Sequence, residues 1–294
     1  MTKSPKIGLV ANTSTMRGKD QFKIHCRRSV QYVESMEISR FDFVIHAFCT
    51  RRDGISVGSF GSLNVSVHEG DAVQNVRRNL EIIAAAFAIS PQHFLFVDQV
   101  HGDGVLVIDG PIAAEYHGVA PEPCDAVVTD RPGVAICVRT ADCVPMILVD
   151  SVKKIVGVAH AGWRGTALGV VARTVDVFVN RFSSRPEDIE VAVGPAIGPC
   201  CYEVGANVYE TFAGEQDGHA FLHRRSGQEK WMLDLPLANI AQLEQRGVPR
   251  KNISSCPLCT ACRRNLFFSH RAEGGKTGRQ LNFVMLKDLK DIYR

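Results

Sequence analysis

The sequence lacks the long apolar run that a membrane-spanning helix requires. Polar side chains interrupt its hydrophobic stretches well before the roughly 18 residues that a bilayer demands. It also lacks a predominant charge, because 34 Lys and Arg residues are scattered among 31 Asp and Glu residues. We therefore expect neither a membrane protein nor a partner of nucleic acid.

Two other features are missing, namely an apolar signal-peptide segment near the N-terminus and any low-complexity or repeated segment. Without such a signal, the ten cysteines of this 294-residue chain are more typical of reduced thiols and metal ligands than of disulfides. We therefore expect a cytoplasmic protein. A composition of 45% hydrophobic and 22% charged residues is typical of a globular protein with a large core.

Short apolar runs alternate with Gly, Pro and Asp residues, and this pattern predicts an α/β fold with a central mixed sheet flanked by helices. Strands are predicted at 94–100 and 105–109, joined as a hairpin through the intervening turn. A helical pattern covers 163–182, and the segment 265–286 predicts two strands around a Gly-rich turn. Residues 1–40 show no clear periodicity, and we interpret them as an N-terminal extension or an added edge strand.

Three residues able to bind metal lie where predicted strands end. His101 follows the strand at 94–100, Cys143 lies between two strands, and His160 precedes a glycine-containing turn into a helix. α/β proteins place ligands at such strand ends. Two His and one Cys would leave a fourth coordination position open, as catalytic zinc requires. Each residue alone is also typical of a core or turn position, so the spacing does not establish the triplet.

Several ordered motifs extend along the chain. They are FCTRRDGIS at 48–56, SLNVSVHEGD at 62–71, QVHG at 99–102, CDAVVTD at 124–130, TADCVP at 140–145, AHAGWRGT at 159–166, GPAIGPCCYEVG at 194–205 and FFSHRAEGGKTGRQ at 267–280. Together they resemble the YfiH/laccase-domain family, formerly labelled multicopper polyphenol oxidase. Ordered motifs across one chain are far more specific than a lone glycine fingerprint.

The resemblance implies that residues 41–294 form one catalytic α/β sandwich domain in which His101, Cys143 and His160 bind zinc, with copper as the lesser alternative. It also implies a purine nucleoside phosphorylase, which cleaves adenosine, inosine or guanosine with phosphate and also acts on methylthioadenosine. Deamination of adenosine is the third implied activity. The expected partners are therefore purine nucleosides and phosphate.

Arginines in turns are the candidate anion donors, because a guanidinium binds phosphate through charge-assisted hydrogen bonds. Arg51 and Arg164 are the predicted catalytic arginines. Arg164, Arg271 and Arg279 are the predicted substrate-binding or phosphate-binding residues. A solvated or structural role is open for each, and Arg164 and Arg279 are favoured because each lies within a matched motif.

Further candidates are His68, Asp125 and Asp142. His68 can serve as a proton donor or substrate contact, since an ordinary histidine titrates near pH 6.5, and a capping or core role is equally open. Either aspartate can orient a ligand histidine by accepting a hydrogen bond from its ring.

The sequence departs from the family pattern at two places. Ala272 occupies the position where a second arginine is expected, which weakens one predicted anion contact. The run Cys256, Cys259 and Cys262 resembles part of an iron–sulfur ligand set. Because no fourth cysteine follows at short spacing, we interpret these residues as ordinary thiols rather than a second metal site.

Other classes of protein stay open. A metal-free cysteine hydrolase or deamidase would use Cys143 as nucleophile and His160 as base. A copper polyphenol oxidase is disfavoured because none of the ten histidines lies two residues from another, whereas trinuclear copper clusters commonly use such pairs. A binding protein that sequesters zinc or a nucleoside is the non-enzymatic alternative.

Overall fold

The computed structural model describes residues 21–109, 119–214, 218–224 and 230–288. In this part of the chain, two large β-sheets pack face to face, and helices cover the outer face of each. The predicted α/β class and single body are confirmed. The strands, however, are divided between two sheets, so the molecule is a sandwich of four layers.

The strands are β1 (Phe22–Arg27), β2 (Val30–Ser35), β3 (Val44–Cys49), β4 (Phe94–Asp98), β5 (Val105–Ile108), β6 (Val119–Pro123), β7 (Ala126–Thr129), β8 (Ala135–Thr140), β9 (Val144–Asp150), β10 (Ile155–Ala161), β11 (Ile189–Val193), β12 (Glu203–Val204), β13 (Leu222–Arg224), β14 (Trp231–Leu233), β15 (Ile253–Ser255) and β16 (Gln280–Leu286). The helices are α1 (Met36–Ser39), α2 (Val73–Phe87), α3 (Trp163–Leu168), α4 (Val170–Phe182), α5 (Ala206–Ala213), α6 (Gly218–Phe221) and α7 (Leu235–Gln245).

Both large sheets are mixed. The first sheet has the strand order β1-β2-β3-β16-β8-β4-β6, and the second has the order β15-β11-β9-β10-β7-β5. In the first sheet β16 is antiparallel to β3 and β8, whereas β4 is parallel to β8. In the second sheet β9 and β10 form an antiparallel pair, and β5 is parallel to β7. A small third sheet contains β12, β14 and β13.

The central strands are buried along their whole length and mostly apolar, because both of their faces are covered. All seven residues of β9, β10 and β16 are buried, as expected for strands packed on two sides. Between the sheets, Phe48 and Ile136 of the first sheet belong to one buried cluster with Ile147 and Val158 of the second.

Helices complete the outer layers. The α2 residue Phe87 packs edge-on against Phe283 of β16, with ring centroids 5.0 Å apart. Residues Val171 and Phe178 of α4 are buried in the cluster that covers the second sheet. Gly157 of β10 is tight against this helix, since an added Cβ would lie 2.8 Å from the Phe178 ring. The sandwich thus holds its strand ends in fixed positions.

The predicted hairpin of β4 and β5 is wrong. β4 lies in the first sheet and β5 in the second, so residues 99–104 cross from one sheet to the other. The Gly-containing turn signalled a change of direction but carried no information about which sheet each strand joins. Residues 141–143 make a second crossing, between β8 and β9.

Two further predictions of secondary structure need correction. The helical pattern of 163–182 is divided into α3 and α4 by Gly169, whose φ of 84° lies in the left-handed region that glycine tolerates. The segment 265–286 contains one strand, β16, because residues 265–279 form turns instead of a second strand.

The described part of the predicted N-terminal extension joins the first sheet. β1 and β2 form an antiparallel hairpin whose second strand pairs with β3. Residues 1–20 lie outside the described residues, and a domain boundary at residue 40 stays a prediction. No helix in the described ranges is both long and apolar enough to cross a membrane.

Candidate active site

The two crossings and the end of β10 bring three metal-binding residues to one place. His101 lies on the first crossing, Cys143 on the second, and His160 near the end of β10. Their candidate ligand atoms all lie within 4.8 Å of one another. Cys143 Sγ is 3.8 Å from His101 Nε2, and the rings of His101 and His160 meet edge-on with centroids 4.8 Å apart. The triplet is therefore compact enough to hold a single ion.

Asp125 holds this group in place through hydrogen bonds to its carboxylate. Its carboxylate is fully buried and accepts a hydrogen bond of 2.7 Å from His160 Nδ1. The backbone N–H groups of Val100, His101 and Gly102 also donate to it, at 3.2, 3.0 and 2.7 Å. Because Asp125 engages Nδ1 of His160, Nε2 of this ring is left for a metal ion. Asp125 thus has the orienting role predicted for either aspartate.

Asp142 does not contact a histidine of the triplet. It accepts hydrogen bonds of 2.6 Å from Thr260 Oγ1 and 2.7 Å from the backbone N–H of Arg271. Its φ of 94° is in the left-handed region, immediately before Cys143. Asp142 therefore ties the second crossing to the loops that follow β15.

Space around the triplet is kept free by Gly162. A Cβ at this position would lie 2.7 Å from Cδ2 of His101 and 3.1 Å from Sγ of Cys143. Any other residue would displace these side chains from the positions in which they face one another. Two imidazoles and one thiol are also a donor set that zinc prefers. The residues present thus fit a mononuclear metal ion with an open coordination position.

The group also has unusual acid–base properties. Burial opposes ionisation of Cys143, but His160 and His101 outweigh it and lower its pKa to about 6. Burial likewise disfavours the charged form of His160, yet Cys143 and Asp125 raise its pKa to about 9. Without a bound metal ion, both shifts favour the charged forms, a Cys143 thiolate beside a His160 imidazolium.

This pair predicts the pH dependence of thiol reactivity. After removal of metal with a chelator, alkylation of Cys143 by iodoacetamide should reach half its maximal rate near pH 6, because only the thiolate reacts. In the variant His160→Ala, the midpoint should rise toward the ordinary cysteine value of about 8.5. Quantifying the Cys143 peptide by mass spectrometry gives the profile, with the exposed Cys26 as internal control. Equal midpoints for Cys143 and Cys26 would contradict the prediction.

The triplet opens into a cavity of about 670 Å³. Four of the predicted substrate residues line this cavity, namely His68, Arg164, Arg271 and Arg279. A cavity of this size can enclose most of a nucleoside-sized ligand. The sequence motifs that carry these residues are widely separated along the chain, and the sandwich brings them around one opening.

Arg51 lies outside the cavity. Its guanidinium donates to the carbonyl oxygen of Gly61 at 2.9 Å and forms an ion pair of 2.7 Å with Glu273. It also stacks over the Phe268 ring, 4.3 Å from the centroid. The Arg51 guanidinium, predicted to bind an anion, thus joins residues 51–61 to the C-terminal loops instead. The geometry does not support a catalytic role for Arg51.

The cavity arginines differ in how many hydrogen bonds and ion pairs their guanidinium groups already form within the protein. Arg279 forms an ion pair of 2.7 Å with Glu69 and donates to two nearby carbonyl oxygens. Arg271 donates to the carbonyl oxygen of Glu203 at 2.7 Å. Arg164 stacks over Trp163, and its guanidinium has no hydrogen-bonded partner among the described residues. Arg164 therefore has the most donors left for a ligand.

Several residues that line the cavity were missed in the sequence. Arg139 lies at the end of β8, and its Nη2 donates to Val97 at 3.0 Å. Glu69 leaves one buried carboxylate oxygen, Oε2, without a hydrogen-bonding partner. Tyr202 stacks beneath Arg271. Glu69 and Tyr202 lie inside matched motifs. Their place in these motifs was therefore the signal from which the sequence could have identified them as site residues.

Together, the sandwich and its cavity define an α/β enzyme with a candidate metal centre at the ends of its strands. Residues 45–287 match the family described as multi-copper polyphenol oxidoreductase laccase. The chain belongs to this family, which confirms the resemblance found in the sequence.

Named relatives give the family its biochemical context. The chain is 37% identical to purine nucleoside phosphorylase YlmD of Geobacillus stearothermophilus, over 83% of this chain and 90% of that protein. It is 34% identical to adenosine deaminase RL5 of an unknown prokaryotic organism, over 86% of this chain and 100% of that protein. The crystal structure of hypothetical protein YfiH of Bacillus licheniformis superimposes with a TM-score of 0.82 at 33% identity, covering 91% of this chain and 100% of the other.

Proposed function

We propose that this chain is a zinc-dependent purine nucleoside phosphorylase that also cleaves methylthioadenosine and deaminates adenosine in the cytoplasm. The observation that carries the proposal is the group of His101, Cys143 and His160 at the base of an arginine-lined cavity. The names of the relatives, which include both a phosphorylase and a deaminase, support the same pair of reactions.

Zinc bound by His101, Cys143 and His160 would supply Lewis acidity and a water molecule that ionises near pH 7. The protein's own residues would then hold the purine against this group and donate the protons that the reaction requires. His68 is exposed on the cavity wall, where it can donate a proton to the departing ammonia or purine base. The free Oε2 of Glu69 can accept a hydrogen bond from a purine N–H or a ribose hydroxyl.

Two stacked pairs offer surfaces for the purine ring. Arg164 lies over Trp163, 4.5 Å from the ring centroid, and Arg271 lies over Tyr202 at 5.3 Å. All four side chains line the cavity. A planar base can stack on such aromatic or guanidinium faces while the sugar extends toward the triplet.

Phosphorolysis also requires a dianion held beside the sugar carbon while positive charge develops on the ribose. Arg164, Arg271 and Arg279 can donate charge-assisted hydrogen bonds to this phosphate. Arg164 is the principal donor because its guanidinium is not already engaged by a carboxylate or carbonyl oxygen of the described residues.

A metal-free cysteine hydrolase is the second candidate, and the observation that favours it is the closeness of the Cys143 thiol to the His160 ring, whose candidate ligand atoms lie within 4.8 Å. His101 distinguishes the two functions. It is neither the nucleophile nor the base of such a pair, yet its Nε2 faces the Cys143 sulfur at 3.8 Å, as a third metal ligand would. A copper oxidase has less support, because the described residues contain only one metal-binding group with histidine.

Replacing Arg164 with alanine should raise the phosphate concentration needed for half-maximal release of base by about ten- to a hundredfold. This range corresponds to the loss of one charge-assisted hydrogen bond, worth about 1.5–3 kcal/mol. Arg164→Lys should recover part of the loss, since lysine retains the charge without the planar fork. The measurement is a phosphate titration of adenine or hypoxanthine release.

The matched control for this titration is Arg173→Ala. Arg173 forms an exposed ion pair with Asp103 away from the cavity, so its replacement should leave the phosphate requirement unchanged. Release of base that does not depend on phosphate in the wild type would identify a hydrolase. An unchanged requirement in Arg164→Ala would transfer the phosphate site to Arg271 and Arg279.

A further inference from the structure

A second group of sulfur atoms lies outside the cavity. Cys200 and Cys201, in the loop after β11, meet Cys259 and Cys262, in the loop after β15. The four sulfur atoms all lie within 4.8 Å of one another. Cys262 Sγ is 3.5 Å from Cys200 Sγ and 3.4 Å from Cys201 Sγ. Cys256, the first residue of the cysteine run, does not belong to this group and packs against the core between the sheets.

We propose that Cys200, Cys201, Cys259 and Cys262 bind a second, structural zinc ion. The inference rests on the placement of these four sulfur atoms and is independent of the proposed function. Binding converts the thiols to thiolates and releases their protons to solvent. Four cysteine ligands close the coordination sphere, as is typical of structural rather than catalytic zinc.

The sulfur separations fit a single tetrahedral ion. Zinc–sulfur bonds of about 2.3 Å place the sulfur atoms of a regular tetrahedron about 3.8 Å apart. The separations of 3.4 and 3.5 Å are close to this value and far longer than a disulfide bond of about 2.05 Å. An iron–sulfur cluster with several irons would hold its cysteine sulfurs farther apart, so a mononuclear site is favoured.

The surroundings also suit a thiolate ligand. The backbone N–H of Gly198 donates to Cys259 Sγ at 3.3 Å, and such bonds stabilise ligand sulfur. Gly198 brings its backbone close to the group, because an added Cβ would lie 3.4 Å from Cys200 Sγ. Arg263 and Arg264, which directly follow Cys262, are exposed and add positive charge to a site that would carry net negative charge.

The proposed ion would join two loops that border the active-site cavity. Ile197 and Tyr202 line the cavity from the first loop, while His270 and Arg271 line it from the segment that follows the second. The loops are already linked by a hydrogen bond of 3.0 Å from Thr260 N to Ala196 O. The zinc ion would therefore fix this wall of the cavity without taking part in the reaction.

The test is the metal content of the purified protein and of three variants, measured by inductively coupled plasma mass spectrometry. The wild type should contain about two zinc ions per chain, and Cys200→Ser combined with Cys262→Ser should lose one. The matched control Cys256→Ser should keep both, because Cys256 belongs to the same sequence run but not to the group. Retention of both ions in the double variant would overturn the proposal.

Cys143→Ala provides a measurement that does not depend on the folding of the double variant. Reconstituted with cobalt, it should retain about one ion with an intense thiolate-to-cobalt absorption band, as four thiolate ligands predict. Absence of this band, or a disulfide between any two of the four cysteines in protein purified under nitrogen, would overturn the second site. If Cys143→Ala and the wild type bind one ion each, and the double variant none, the second site stands and the proposed catalytic zinc fails.

Discussion

On the proposed function, replacing His101 with alanine should remove the active-site metal ion and lower the rate of adenosine deamination by about a thousandfold. A metal ion contributes several kcal/mol by activating water and stabilising charge, and about 4 kcal/mol corresponds to this factor. The two remaining ligands, Cys143 and His160, would bind zinc weakly. Phosphorolysis should fall less if the ion only positions the nucleoside. Steady-state rates and metal content, measured on the same preparation, check the prediction.

This variant separates the two candidate functions because a hydrolase using Cys143 and His160 needs His101 only to help lower the Cys143 pKa and not to hold a metal ion. His93 lies in an exposed turn before β4 and outside the cavity, so His93→Ala is the matched control. A His101→Ala protein that loses its metal ion but keeps its turnover would support the metal-free cysteine mechanism.

Replacing Asp125 with alanine should destabilise the protein by about 3–5 kcal/mol, the usual cost of removing one partner of a buried charged pair. It would leave the His160 ring and three backbone N–H groups of residues 100–102 without their common acceptor. Natural domains are stable by only about 5–15 kcal/mol, so this loss is large. Denaturant unfolding of the metal-free chain gives the measurement.

Asp125→Asn separates the charge of this residue from its volume. The amide can accept some of the backbone hydrogen bonds but cannot pair with imidazolium, so the loss of stability should be smaller while affinity for metal still falls by about ten- to a hundredfold. Asp71→Asn is the control, since Asp71 also accepts several hydrogen bonds but lies away from the triplet. Equal effects on metal affinity at both positions would contradict the orienting role of Asp125.

The pH dependence of stability should follow from the same contacts. Burial would raise the pKa of Asp125, but His160 and the backbone N–H groups of Gly102 and Val100 outweigh it, so the pKa is lowered. Folding is therefore favoured by this residue above the ordinary carboxyl pKa. The contribution is lost as the pH falls through the lowered value of the folded state. The difference in stability between wild type and Asp125→Ala should accordingly shrink in acid.

The α/β class and most strand positions could be predicted because β9, β10 and β16 are short, predominantly apolar runs. The pairing of β4 and β5 could not, since a turn sequence specifies a change of direction and not the sheet that receives the next strand. The break between α3 and α4 at Gly169 could not be predicted either, because the apolar pattern continues across it.

The residues of the site were predictable to different degrees. His101, Cys143 and His160 lie in matched motifs and come together in the structure. The role of Arg51 was harder to predict, because an arginine in a turn can bind carbonyl oxygens and a carboxylate of its own chain, as Arg51 does with Gly61 and Glu273, instead of a substrate anion. The four-cysteine group could not be predicted from spacing along the sequence, because its two pairs of cysteines come from distant loops. Cys200 and Cys262 are 62 residues apart and meet only after β11 and β15 have paired.

The passage of the chain between the two sheets has a consequence for how the family can diversify. His101 and Cys143 each lie on a crossing, so their separation depends on how the first and second sheets are aligned. A substitution that shifts this alignment would alter both ligands and the core at once, which makes the centre resistant to gradual change. The rim formed by residues 197–202 and 270–279 is tied to the second crossing, because the backbone N–H groups of Ile197 and Arg271 donate to Asp142. A substitution that moves the second crossing should therefore change the substrate-binding rim together with the centre.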